Sequence, residues 1–166
     1  CEFATVGDAL IAADPGDTLL LEGGVTFYEN VTINESLTLE GGYDGCASGS
    51  SRPTTIDGGG ADRVLTIWAG LDVALENLNV TNGACGTEGG GIRFAAGSGG
   101  GELELTQVAI QGNSADGGGG LWVGEDAVVI GSHVQIYENT AAVYGGGVRL
   151  FGGRATFEST DIEDNA

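Results

Sequence analysis

Lysine and methionine are missing altogether from these 166 residues, while proline occurs twice, histidine once and cysteine three times. Without lysine the five basic residues are all arginines, set against 24 acidic side chains for a formal net charge of −19. Nucleic-acid phosphates would be repelled by that charge, which argues against nucleic acid as a partner; solubility in salty surroundings and weak calcium binding are compatible with it. No other cofactor is implied. Two prolines beside 33 glycines fit neither collagen nor a proline-rich linker. No apolar run reaches the roughly 18 residues of a membrane span. Position 1 is not methionine, which leads to the expectation of a removed upstream segment, either a cleaved secretion signal or part of a longer parent. A lipoprotein also begins its mature chain with cysteine, but "CEFATVGDAL" turns to structure almost at once, which weakens that reading.

The scarcity of histidine and cysteine narrows the chemistry. His133 has no serine and aspartate at an interpretable spacing, so a nucleophilic triad is not indicated, and no Cys/His metal-ligand pattern occurs. Of the cysteines, Cys1 and Cys46 are the preferred disulfide pair, both near the amino-terminal end of the fold and in a setting that permits oxidation. The alternative is three reduced cysteines acting as small apolar fillers.

What is abundant is glycine, and it recurs in order. "GGGIRF" at 89–94, "GGGLWV" at 118–123 and "GGGVRL" at 145–150 are copies of one motif. A second motif, "LELTQVAIQGNSA", "VVIGSHVQIYENTA" and "ATFESTDIEDNA", aligns at 26 residues. It puts Ile110, Ile136 and Ile162 in one column and Asn113, Asn139 and Asn165 in another. Within each copy apolar residues alternate with polar ones over three to five positions, as in Leu103, Leu105, Val108 and Ile110. No helix of ten residues fits between such runs.

Coil-sized repeats of short alternating strands predict an all-β fold, a right-handed parallel β-helix in which each turn stacks about 4.8 Å along the axis from the last. Residues 1–166 form one domain on this reading, with 1–83 as amino-terminal cap and irregular first coils and 84–166 as regular coils of about 26 residues. Ile92, Leu121 and Val148 point inward. Gly89, Gly90, Gly119, Gly120, Gly146 and Gly147 are structural, sitting where a positive φ or the next coil excludes a Cβ. Asn113, Asn139 and Asn165 hold another corner, tolerating the left-handed conformation and stacking as an amide ladder. Thr5–Ala13 predicts a short capping helix, ended by "DPGD", and 44–53 reads as a loop leaving the rod.

The repeated "GGGI/L/V" followed by "GNSA" or "ENTA", with the entry "FATVGDALIAADPGDTLLLEGG", resembles the passenger regions of polymorphic outer-membrane proteins and related bacterial surface proteins. That resemblance implies a surface or adhesin role and says little about activity. Other β-helices degrade polysaccharides with a strong base beside clustered carboxylates, and neither is evident in this sequence. Arg93, Trp122 and Arg149 form a matching outward column on three successive coils, an exposed aromatic between two guanidiniums that suits a sugar or an acidic partner. Packing of Trp122 over the arginine stems is the alternative. "TDIEDNA" closes the sequence without a cap, so continuation of a longer chain or end-to-end self-association into a filament is expected. Taken together, the sequence reads as a non-enzymatic, extracellular or cell-surface β-helix rod, structural or adhesive, partnered by itself, a surface glycan or a host surface. The competing reading is a carbohydrate-binding or polysaccharide-degrading module.

Overall fold

Alternation along a strand sends every second side chain to the same side, so a short strand of this composition needs one buried face and accepts one wet face. The structure, a computed structural model that describes residues 2–45, 48–49, 52–94 and 100–166, winds these strands into a right-handed parallel β-helix. Its first face stacks Thr18–Glu22, Leu37–Asp44, Asp72–Glu76, Glu102–Thr106, Val128–Ser132 and Arg154–Glu158. The second face stacks Thr26–Tyr28, Thr54–Asp57, Leu78–Thr81, Ala109–Gln111, Gln135–Tyr137 and Asp161–Glu163. The third stacks Val31–Ile33, Leu65–Ile67, Ile92–Phe94, Leu121–Val123 and Val148–Leu150. Coils 1 to 5 visit the three faces in that order, and coil 6 supplies strands to the first two. Between the second and third faces, Ser114–Gly117 of coil 4 pairs with Thr140–Tyr144 of coil 5.

Register makes the core. Leu39, Leu75 and Leu105 lie in line on the first face, followed by Gly131 and Phe157. A Cβ on Gly131 would run into the Phe157 ring, so one coil's missing side chain makes room for the next coil's large one. On the second face Ile56, Val80, Ile110, Ile136 and Ile162 are in line. On the third, Ile92, Leu121 and Val148 are in line, the first two fully buried and Val148 half-buried. Along the first face successive turns take 20, 36, 30, 26 and 26 residues. Coil 2 is long because Tyr43 and Asp44 pair antiparallel with Ser48 and Gly49, a small hairpin within the stretch read as a loop.

The glycine triplets divide their labour. Gly89, Gly118 and Gly145 have φ of 68°, 64° and 60°, a region that L side chains rarely adopt. Gly90, Gly119 and Gly146 have ordinary φ but no room: a Cβ on Gly119 would meet the Thr140 carbonyl and stand 2.6 Å from the Gly146 carbonyl. At the Asn corner the structure corrects the expectation of a left-handed asparagine. Positive φ falls one residue earlier, on Asn82, Gly112, Glu138 and Asp164. The asparagines themselves turn inward, and Asn113 and Asn139 are buried. Asn139 Oδ1 accepts from Asn113 N at 3.1 Å and Asn113 Nδ2 at 2.9 Å, and Asn165 Oδ1 accepts from Asn139 in the same way.

Helix α1, Val6–Ala12, lies over the first coil with Val6 and Ala9 buried. Thr5 Oγ1 accepts from Asp8 N at 3.0 Å, and Ala13 is extended ahead of Asp14 and Pro15, which ends the helix. Cys1 and Cys46 lie outside the described residues. Cys85 is a free, half-buried thiol.

Candidate functional site

The outer side of the third face carries Arg93, Trp122 and Arg149 in direct register on coils 3, 4 and 5. Alternation puts them there, since each follows an inward Ile92, Leu121 or Val148. The glycine corner shapes the space beside them: a Cβ on Gly118 would stand 3.0 Å from the Cβ of Trp122. Of the two readings of the column, an exposed aromatic and an indole packed against the arginines, the geometry fits the packed one: Trp122 is only 8% exposed. Phe151, at the corner after the third face of coil 5, covers it with ring centroids 6.1 Å apart and planes 19° from parallel. The Arg93 guanidinium lies over the indole at 5.1 Å.

Arg149 reaches the other way. Its guanidinium carbon sits 4.6 Å from the centre of the Tyr144 ring and 5.9 Å from that of Phe151. Its Nη1 and Cδ occupy the place that a Cβ on Gly117 would claim, so that glycine seats the arginine. Tyr144 and Phe151 remain 59% and 50% exposed, so the rings that flank the arginine meet solvent. Trp122 Nε1 is buried without a hydrogen-bond partner, an unmet donor at the centre of the cluster. Neither Tyr144 nor Phe151 was legible as part of the column, because each comes from a different element and meets it only across the corner.

The first face offers a second arrangement. Register sets Glu102 beside Asp72 and Glu76 beside Glu40. Asp72 Oδ1 accepts from Glu102 N at 3.1 Å, and Asp72 N donates to Ser36 Oγ at 3.0 Å. Ser36, Asp72 and Glu102, with Thr38 and Glu104, line a hollow of about 310 Å3 on the rod's outer surface. The Glu40–Glu76 pair acts on a different neighbour: the Tyr43 phenol is raised above its ordinary value by its hydrogen bond with Glu40, by burial, and by the charges of Glu40 and Glu76. The sequence shows no carboxylate cluster because Asp72 and Glu102 are 30 residues apart; one turn of the solenoid makes them neighbours. Among the described residues no group of three metal-ligating side chains is placed to hold an ion.

Other singled-out residues do less. His133 Nδ1 is 2.9 Å from Ser132 Oγ, exposed, on a corner residue of φ 55°. Trp68 is 56% exposed on the corner after the third face of coil 2. No helix of the described residues is long and apolar enough to cross a membrane.

No family model matches the sequence, and no curated protein matches it. Among solved structures, the chain is similar to the pectin methylesterase from Aspergillus niger in deglycosylated form, with a TM-score of 0.58 and 20% identity. The likeness covers 94% of this chain and 53% of that one, so the chain spans about half the length of the structure it matches. At that identity the likeness establishes the fold, a parallel β-solenoid. It also corrects the expectation that the chain is not an enzyme. That expectation rested on an adhesin resemblance and on a missing carboxylate cluster, whereas the matched fold belongs to an enzyme and the register does bring carboxylates together.

Proposed function

We propose that this chain is a polysaccharide-engaging β-helix module of the extracellular space or cell surface, which holds a glycan against the outer side of its third face. The observation that carries this reading is the corner where the exposed Tyr144 and Phe151 rings flank the Arg149 guanidinium, above a buried Trp122 on which Arg93 lies. Sugar rings present axial C–H groups to such faces and hydroxyls to such edges, and a site of this kind fixes orientation with few polar groups. The shared fold with a pectin methylesterase supports a polysaccharide as the class of ligand, and the acid hollow on the first face supports chemistry on it. A surface location of the kind the polymorphic outer-membrane resemblance implies fits the same reading.

The test is affinity electrophoresis of the whole chain in gels cast with individual plant and microbial polysaccharides, with release of reducing ends or methanol followed alongside. At least one polysaccharide retards the protein, and Tyr144→Ala with Phe151→Ala restores free mobility. If no polysaccharide retards the chain and none yields a product, the proposal is wrong.

A further inference from the structure

We propose that the arginine–aromatic corner of coils 3 to 5 is an anion-recognising subsite, which takes the carboxylate or sulfate group of an acidic glycan between Arg93 and Arg149. This rests on the reading of the chain as polysaccharide-engaging and adds the charge of the sugar. The net charge of −19 repels a polyanion at long range, but at 0.15 M salt the Debye length is about 8 Å, so the charges nearest the corner decide what binds there. With 24 acidic side chains against five arginines, an arginine in this chain finds a carboxylate easily, as Arg63 does with Asp62 at 3.7 Å. Among the described residues the Arg93 and Arg149 guanidiniums are in no ion pair and donate no hydrogen bond. They lie on rings instead.

A guanidinium stacked on a ring uses its face and leaves its N–H edge free, and that edge is the part that grips a carboxylate or sulfate with two parallel bonds. Register fixes the spacing of the two backbones: with Trp122 between them, they are two strand spacings apart, about 10 Å, with the Trp122 ring filling the interval. The corner is built rather than incidental. Gly117 is bare where Arg149 lies, and Trp122 is more than nine-tenths buried with an indole N–H that lacks an acceptor. The carboxylate of Glu88, one coil below Gly117 in register, pairs with neither arginine.

The test compares alginate, dextran sulfate and unmodified dextran as ligands of the whole chain at 150 mM NaCl, read by affinity electrophoresis and by tryptophan fluorescence in a Trp68→Phe background. At least one of the two polyanions binds about tenfold or more tightly than dextran and shifts Trp122 emission. Arg93→Gln with Arg149→Gln removes that preference, and Arg149→Lys, which keeps the charge and loses the fork, weakens it. Alginate alone identifies a carboxylate subsite; both polyanions identify a general anion subsite. Dextran binding as tightly as the polyanions, or polyanion binding unchanged in the arginine double variant, overturns the proposal and leaves the glycan-binding reading intact. Absence of binding to any of the three, together with failure of the wider polysaccharide panel, removes both.

Discussion

Asn139 shows how one side chain can hold two coils. It is fully buried, its Nδ2 donates to the Ile110 carbonyl at 2.9 Å and to Asn165 Oδ1 at 3.0 Å, and its Oδ1 accepts twice from Asn113. Asn139→Ala would strand the Asn113 backbone N–H and the Ile110 carbonyl away from water, each at about 1–3 kcal/mol, while Asn113 Nδ2 keeps its bond to the Val80 carbonyl. Urea unfolding should show a loss of about 3 kcal/mol or more, against about 1 kcal/mol for Asn165→Ala in the half-buried coil 6. Equal, small losses would mean that the ladder does not carry the corner. The column is legible in the sequence because one residue type recurs at 26, but its conformational role is not. The left-handed positions at this corner are Asn82, Gly112, Glu138 and Asp164, and at the preceding corner Asn77, Gln107, His133 and Ser159. With four different residue types in one set and four in the other, no single letter marks the turn. Stacked hydrogen bonds from neighbouring coils hold those backbones where residue preference alone would not.

At the scale of elements, helix α1 is tied to the rod by a side chain from coil 1. Glu29 Oε1 accepts from Val6 N and Oε2 from Gly7 N, both at 2.9 Å, so a carboxylate meets two of the unpaired amides of the first turn. Glu29→Ala therefore should cost about 1–2 kcal/mol and act locally. Amide exchange at Val6–Ala12 should speed up while exchange in the coil 4 strands stays unchanged; unaltered exchange in the helix would show that Val6 and Ala9 burial alone docks it. The helix itself is readable from its apolar spacing and from Pro15, whereas Glu29 is not, since its partners lie 22 and 23 residues away. The same limit applies to the candidate site. Alternation reveals the column of Arg93, Trp122 and Arg149, but the burial of Trp122 depends on Phe151, which arrives from the next corner, and only register unites Asp72 with Glu102.

For the molecule as a whole, charge is the largest unrelieved term. The net charge is −19, and Arg63 with Asp62 is the one salt bridge among the described residues, so attraction offsets little of the repulsion. The solenoid sharpens the problem, because parallel register repeats an outward carboxylate at the coil spacing: Glu40 beside Glu76, and Asp72 beside Glu102. Two unit charges about 5 Å apart in water repel by about 0.8 kcal/mol, and the Debye length falls from about 30 Å at 0.01 M salt to about 8 Å at 0.15 M. Sodium chloride should therefore raise the Tm between 10 and 500 mM, and Glu76→Gln should raise it by about 2–3 °C at 10 mM, taking about 2–4 °C per kcal/mol at this chain length. That gain should shrink toward zero at 500 mM, where salt already screens the pair. A gain that persists undiminished at high salt would assign the effect of Glu76 to packing rather than charge, and a Tm that is flat or falls with salt would show that the acidic faces do not strain the rod.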